Sequence, residues 1–187
     1  MITIQADVLT TKRQGEIAPD VFLDPLGFIL SEHQKQTCIC RALERLVDDL
    51  SKDTSARLAA SVLAYLTEDL PSHRIDEEEV LFSMLESRFP KDEGVGGILS
   101  QLRREHVRDQ TIVEKLLDDL TTLQCNVALF TPLNFIVNAL MFSETQRRHI
   151  SWEDNVLVPL ARRVFTDADL VDLGRAMAER QGVGYPA

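Results

Sequence analysis

Apolar residues recur every three or four positions through four long stretches of the 187-residue chain, the spacing that gathers them on one face of a helix. From about Pro25 one face reads Leu26, Leu30, His33, Thr37, Cys40, Leu43, Val47 and Leu50. Ser51-Lys-Asp-Thr-Ser then supplies a turn with N-cap candidates. A second stripe carries Leu58, Val62, Leu66, Leu70, His73, Glu77, Leu81 and Met84 and ends near Phe89-Pro90. Pro71 lies inside it, and its missing N–H predicts a kink two residues before His73. Lys91 to Gly97, with three glycines, reads as a connection. The third stripe is Ile98, Leu102, His106, Asp109, Val113, Leu116, Leu120 and Leu123, stopping between Cys125 and Phe130. Thr131-Pro132 reads as N-cap and first position of a fourth helix. That helix turns Ile136, Leu140, His149, Glu153, Val156 and Leu160 inward, with Pro159 near its end. A short fifth helix, about Asp167 to Arg180, precedes a Gly- and Pro-containing tail. Four long helices joined by short turns predict an all-α, up-down-up-down four-helix bundle. Its expected organisation is an N-terminal arm over 1–24, the bundle over 25–165, and the short helix and tail over 166–187.

The polar residues that interrupt these stripes carry the chemistry. All four histidines of the chain lie on inward faces. Two of them open the segments His73-Arg-Ile-Asp-Glu77 and His149-Ile-Ser-Trp-Glu153, and a spacing of four stacks each pair on one helix face. The pairs stand 76 positions apart, and His33 and His106 stand 73 apart. The likeness continues past the histidines: Val80-Leu81 matches Val156-Leu157, Met84 matches Leu160, and Phe89 matches Phe165. A duplicated helix hairpin with a pseudo-twofold axis through the site accounts for this. One histidine on an apolar stripe is more often a packed core residue than a ligand. Four with matched separations, two of them with a carboxylate one turn on, point to a metal site. The expected ligands are His33, His73, Glu77, His106, His149 and Glu153, converging on two metal ions.

Imidazole and carboxylate without nearby thiolate pairs suit iron, manganese or zinc. If both glutamates bridge, each metal receives two imidazoles and two carboxylate oxygens. A six-coordinate metal then keeps one position for a shared oxo or hydroxo bridge and one for a small diatomic ligand. Structural zinc is normally closed and tetrahedral, so the incomplete octahedron points to iron.

Composition narrows the partners. A net charge of -10 and a pI near 4.8 repel phosphate backbones and anionic lipids, so nucleic acid and membrane surfaces are not expected. No apolar run approaches the ~20 residues of a membrane span, and the first residues lack a basic stretch followed by an apolar one; a soluble, cytoplasmic protein is expected. Cys38, Cys40 and Cys125 form no disulfide framework, and Cys40 reads as a small buried hydrophobe rather than a redox partner. Trp152 is expected to pack against a neighbouring helix or a dimer partner. Glu32 and Glu105, each preceding a ligand histidine, border a polar entry route, hydrogen-bond a group that supports the ligands, or belong to an exposed face, and Glu78-Glu79 is placed on the solvated face.

The motifs Leu-Pro-Ser-His73-x-x-x-Glu77-Glu and His149-x-x-x-Glu153-Asp-x-Val-Leu-x-Pro resemble those of the hemerythrin-like family, the His-His-Glu cation-binding bundles, over about residues 25 to 165. The resemblance implies a non-haem, oxo-bridged centre of two iron ions held by the six residues named above. Oxygen-carrying members have a second histidine one turn after the third-helix one, where Gln110 stands here. They also have an aspartate five after the last histidine, where Asp154 stands. Glu153, matching Glu77, is preferred to Asp154, from which little is expected. In this the chain looks like the iron–sulfur cluster repair (RIC) proteins and the iron-sensing F-box proteins. With Gln110 in place of an imidazole, rapid oxidation in air is expected over reversible oxygen carriage. The expected function is a protein that binds or reacts with O2, NO or peroxide, as a sensor or a stress-response and iron-handling factor, with cluster repair as one output. The alternatives are a di-iron peroxidase or ferroxidase, and a module whose association with a protein partner or a second copy depends on metal or oxygen.

Overall fold

A computed structural model describes residues 17–50, 53–90 and 93–186. Every regular element among them is helical, as the stripes predict. A 3-10 turn, Pro19–Leu23, leads into α1, Pro25–Asp48. There Asp24 acts as N-cap: the Gly27 N–H donates to its Oδ1 at 3.0 Å. An uninterrupted helix, α2, then runs from Asp53 to Arg88. α3 spans Glu93–Gln124, α4 runs from Pro132 to Val164, and α5 spans Asp167–Arg180. No helix of the described residues is long and apolar enough to cross a membrane.

Three findings depart from the sequence expectations. Residues 93–97, expected in a connection, form the first turns of α3; each glycine costs about 1 kcal/mol of helix propensity, offset where Val95, Ile98 and Leu99 pack against a hydrophobic cluster. Positions 91 and 92 of that connection lie outside the described residues, as do 51 and 52 of the first turn and 1–16 of the arm. Secondly, beside Pro71, where a kink was expected, the helix continues through a local change of hydrogen bonding that the stripe did not show. The turn before the proline, Tyr65–Asp69, widens into a π-turn in which the Leu70 N–H reaches back five residues to the Tyr65 carbonyl. A wide turn carries the preceding carbonyls away from the proline ring, which lacks a donor for them. Thirdly, Leu140 of α4 is exposed, and the buried positions are Phe135, Ala139 and Phe142. This stretch is apolar on two faces, so period alone cannot choose between them, and the larger phenylalanine rings take the core.

The described residues pack as two compact units. One comprises Gln34–Leu70 and Val107–His149, around a core that includes Leu43, Leu46, Tyr65, Leu116, Phe135 and Phe142. Each such side chain contributes roughly 1.5–3 kcal/mol by its burial. The other comprises residues 17–33, Pro71–His106 and 150–186. Its core includes Phe22, Leu26, Leu81, Phe82, Leu157 and Met177. The boundaries fall inside the four long helices, so each helix contributes to both units.

α5 belongs to the second unit and is pinned there in four ways. Thr166 closes a reciprocal capping box with Asp169. Arg88 donates to the same Asp169 carboxylate. Gly174 lies so close to the Phe22 carbonyl that a Cβ would stand 2.2 Å from its oxygen. Lastly, Arg180 Nε donates to Asp76 Oδ1 at 2.6 Å, on a carboxylate only 2% exposed. Burial pushes the Asp76 carboxyl above its ordinary value even against this guanidinium.

Arg180→Ala removes the cation from a buried carboxylate and, because Arg180 is itself partly exposed, is expected to cost roughly 2–3 kcal/mol. The metal-free protein should melt roughly 4–10 °C lower, with Asp76→Asn restoring part of the loss; superimposable melts would refute the contact. The Asp169 carboxyl is lowered to about 2, first by the hydrogen bond from Arg88 and then by Thr166. A depressed folded value gives stability that is complete above the ordinary aspartate range and is lost as pH falls toward about 2. Hydrogen exchange of α5 amides should therefore stay protected through the mildly acidic range and rise near that value, and in Asp169→Ala it should be fast throughout.

Candidate metal centre

The six predicted ligands are all buried, from 1% exposure at His33, Glu77 and Glu153 to 5% at His73 and His106. His33 comes from α1, His73 and Glu77 from α2, His106 from α3, and His149 and Glu153 from α4. All except His149 belong to the second unit, and His149 stands one turn before Glu153 on the same continuous helix. Two groups of donors arise. His33, His73, Glu77 and Glu153 offer ligand atoms within 4.8 Å of one another, and so do Glu77, His106, His149 and Glu153. Both groups use both glutamates.

The backbone explains how the glutamates reach this place. Asp76–Leu81 and Glu153–Leu157 are π-turns. In each, the glutamate carbonyl accepts from the N–H five residues on, Phe82 for Glu77 and Val158 for Glu153. The same offset of 76 positions that relates the histidines relates these two wide turns. An extra residue per turn rotates the rest of the helix, so that Leu81, Phe82 and Leu85 after one glutamate, and Leu157, Val158 and Ala161 after the other, return to the core. The duplication read from the sequence thus extends to backbone hydrogen bonding and burial.

Within the site the Nε2 atoms of His33, His73 and His106 face the glutamates. His33 Nε2 lies 3.3 Å from Glu77 Oε1 and 3.3 Å from Glu153 Oε2. His73 Nε2 is 2.9 Å from Glu77 Oε1, and His106 Nε2 is 3.5 Å from Glu77 Oε2. Glu77 Oε2 is buried and takes no hydrogen bond. Burial alone would lower the His33 imidazole, yet the carboxylates of Asp154, Glu153 and Glu77 outweigh it and hold His33 well above the ordinary histidine range. Burial alone would raise Glu77, and His73, His33 and His106 outweigh it and hold that carboxyl well below its ordinary range. Two fully buried carboxylates ringed by imidazoles, with no thiolate among them, suit a divalent or trivalent cation with nitrogen and oxygen ligands.

Around the ligands stand residues that sequence reasoning placed differently. Glu78, assigned to the solvated face, accepts a hydrogen bond from His106 Nδ1 at 2.5 Å. Asp154, from which little was expected, accepts one from His33 Nδ1 at 2.5 Å. The signal that could have found both is the acidic residue that directly follows each glutamate, again 76 positions apart. Gln110 stands on the exposed side of α3 and donates to Glu114 at 3.4 Å. The buried residue one turn after His106 is Asp109, which accepts from Gln146 Nε2 at 2.8 Å. A histidine at 110 would therefore begin from a solvent-facing position, because a step of three, and not four, keeps the inward phase here.

Cys40 is buried and its thiol is pushed up to about 11, chiefly by that burial, so it stays protonated and packs as a hydrophobe. Cys38 is half-buried and Cys125 exposed. Trp152 is half-exposed and walls a cavity of about 380 Å³ with Ile98, Leu102 and Glu105. The Glu105 carboxylate is buried and accepts from Gln101 at 3.0 Å, which ends the reading of that residue as exposed helix charge.

No curated protein matches the chain, and no solved structure does. Residues 24–161, which carry α1 to α3, all but the last three residues of α4, and the six predicted ligands, match the family described as the hemerythrin HHE cation binding domain. The chain belongs to that family, and its described residues form the all-α helical bundle with an added C-terminal helix that the stripes foretold.

Proposed function

We propose that the protein holds two iron ions and binds or reacts with O2, NO or peroxide, as a sensor or a stress-response and iron-handling factor. The observation that carries this reading is the pair of four-donor groups that share Glu77 and Glu153. Two imidazoles and two carboxylate oxygens per ion leave a six-coordinate cation incomplete, which suits reaction with a small ligand better than a closed structural site. Iron bound there supplies exchangeable coordination and redox change toward such molecules. The chain's own residues do the rest. Imidazole Nε2 atoms and the two glutamates bind and orient the ions, and the helical core excludes bulk water. The cavity walled by Trp152, Ile98 and Leu102 lies beside two chain neighbours of ligands, Glu105 before His106 and Trp152 before Glu153. Trp152, Ile98 and Leu102 give it apolar surface, while Gln101 and Glu105 add polar side chains to its lining. The matched glutamate at the fourth-helix position favours the likeness to the cluster repair and iron-sensing proteins over the oxygen carriers.

Protein purified without added metal is expected to contain close to two irons per chain, one for each donor group. Glu77→Ala and Glu153→Ala should each lose more iron than any single histidine substitution, because each glutamate serves both ions. Iron should also raise the melting temperature, since it binds only the native arrangement. Elemental analysis that finds one zinc and no iron after iron-replete expression would sink the proposal, and sustained peroxide turnover by the iron form would move it to the enzyme reading.

A second reading, a module that associates with protein, rests on α4. Leu133, Val137, Leu140 and Met141 are exposed on one face of that helix, with Phe130 fully exposed just before it. A monomer rarely leaves such a stripe to water. Sedimentation at rising concentration is expected to show self-association that Leu140→Glu abolishes; a wild-type monomer at every concentration overturns this.

A further inference from the structure

The rings of His33 and His106 are held from both sides. Their Nε2 atoms face the shared glutamates, while their Nδ1 atoms meet Asp154 and Glu78 at 2.5 Å. A carboxylate can only accept, so each contact places the proton on Nδ1 and leaves Nε2 as the metal-binding atom. Asp154 and Glu78 differ from the glutamates they follow in exposure. Their side chains are 36% and 35% exposed, against 1–2% for Glu77 and Glu153, so they stand behind the histidines and outside the donor groups.

Their placement follows the duplication with a crossing. Asp154, from the second half of the repeat, meets His33 of the first half. Glu78, from the first half, meets His106 of the second. Each donor group takes two histidines from its own half, yet one of them is oriented by the other half's carboxylate. We propose that Asp154 and Glu78 are a matched pair of positioning residues, each setting the metal affinity of one donor group: Asp154 for the group of His33 and His73, Glu78 for the group of His106 and His149. This rests on the metal reading above. A carboxylate behind a ligating imidazole fixes its tautomer and ring orientation and raises its basicity, and losing one costs roughly 10- to 100-fold in affinity.

The test is anaerobic titration with ferrous iron against a chromophoric chelator, on wild type, Asp154→Ala, Glu78→Ala and the double variant. Each single variant is expected to weaken one of the two equivalents by roughly 10- to 100-fold and leave the other within a few-fold; the double variant should weaken both. Asp154→Glu and Glu78→Asp should recover most of the affinity. Glu79→Ala removes the same charge from an exposed neighbour and should change nothing. Nitrogen-15 shifts of the zinc-loaded, diamagnetic protein should show His33 Nδ1 protonated in wild type and altered in Asp154→Ala alone. Variants that titrate like wild type overturn the proposal. So does Asp154→Ala losing both equivalents, which would mark Asp154 as a ligand, and so does Glu79→Ala matching the effect, which would mark a general charge effect. A wild type that takes up no iron would instead remove the metal reading on which the proposal stands.

Discussion

Two carboxylates buried to about 1% exposure set the terms for the rest of this structure. An ionised carboxylate taken out of water without compensation is far too costly for a domain whose net stability is on the order of 10 kcal/mol. For Glu77 the compensation is local. Imidazoles surround Glu77 closely enough to hold its carboxyl well below its ordinary range against the opposing effect of burial. The same carboxylates lift His33. These contacts bring α1, α2 and α3, distant in sequence, to one small volume around Glu77. Added cations would relieve the arrangement further, which links metal binding to folding.

Bringing a glutamate from each of α2 and α4 to that volume needs a backbone that a regular helix does not provide. Both helices widen by one residue at the glutamate and then resume. On each helix the wide turn holds the glutamate, one turn after a histidine, and stands between two stretches of hydrophobic core, one before the histidine and one after the glutamate. The two wide turns recur at the same offset as the ligands, so the repeat is one of backbone conformation as much as of residue type. The third wide turn, in α2 before Pro71, has no such partner and serves the proline.

The fifth helix and the turn before α1 shield the second unit. Phe22 is fully buried, Gly174 admits the chain beside it without a side chain, and Arg180 reaches Asp76, the residue directly before Glu77. A carboxylate directly before Glu77 in the chain adds repulsion to it. The guanidinium of α5 neutralises it, so the last helix acts on the electrostatics of the centre as well as on its covering.

The number and order of the helices were legible in the sequence because an apolar stripe with a period near 3.6 has few other solutions. The six ligand candidates were legible for a stronger reason: helical spacing relates His73 to Glu77 and His149 to Glu153 locally, and the duplication repeats the relation, so no tertiary information was needed to see that they match. Contacts between residues far apart in the chain were another matter. Periodicity could not decide which apolar face of α4 turns inward, so Leu140 was misplaced. It could not place Arg180 on Asp76, which are 104 positions apart, and although it put Asp109 on the inward stripe it could not show that Gln146 donates to it. Glu78 and Asp154 look like ordinary exposed acids in a string of charges. Only the approach of α3 and α1 gives each a histidine to accept from, because a side chain's partner is set by which helix lies beside it and not by the residues next to it in the chain.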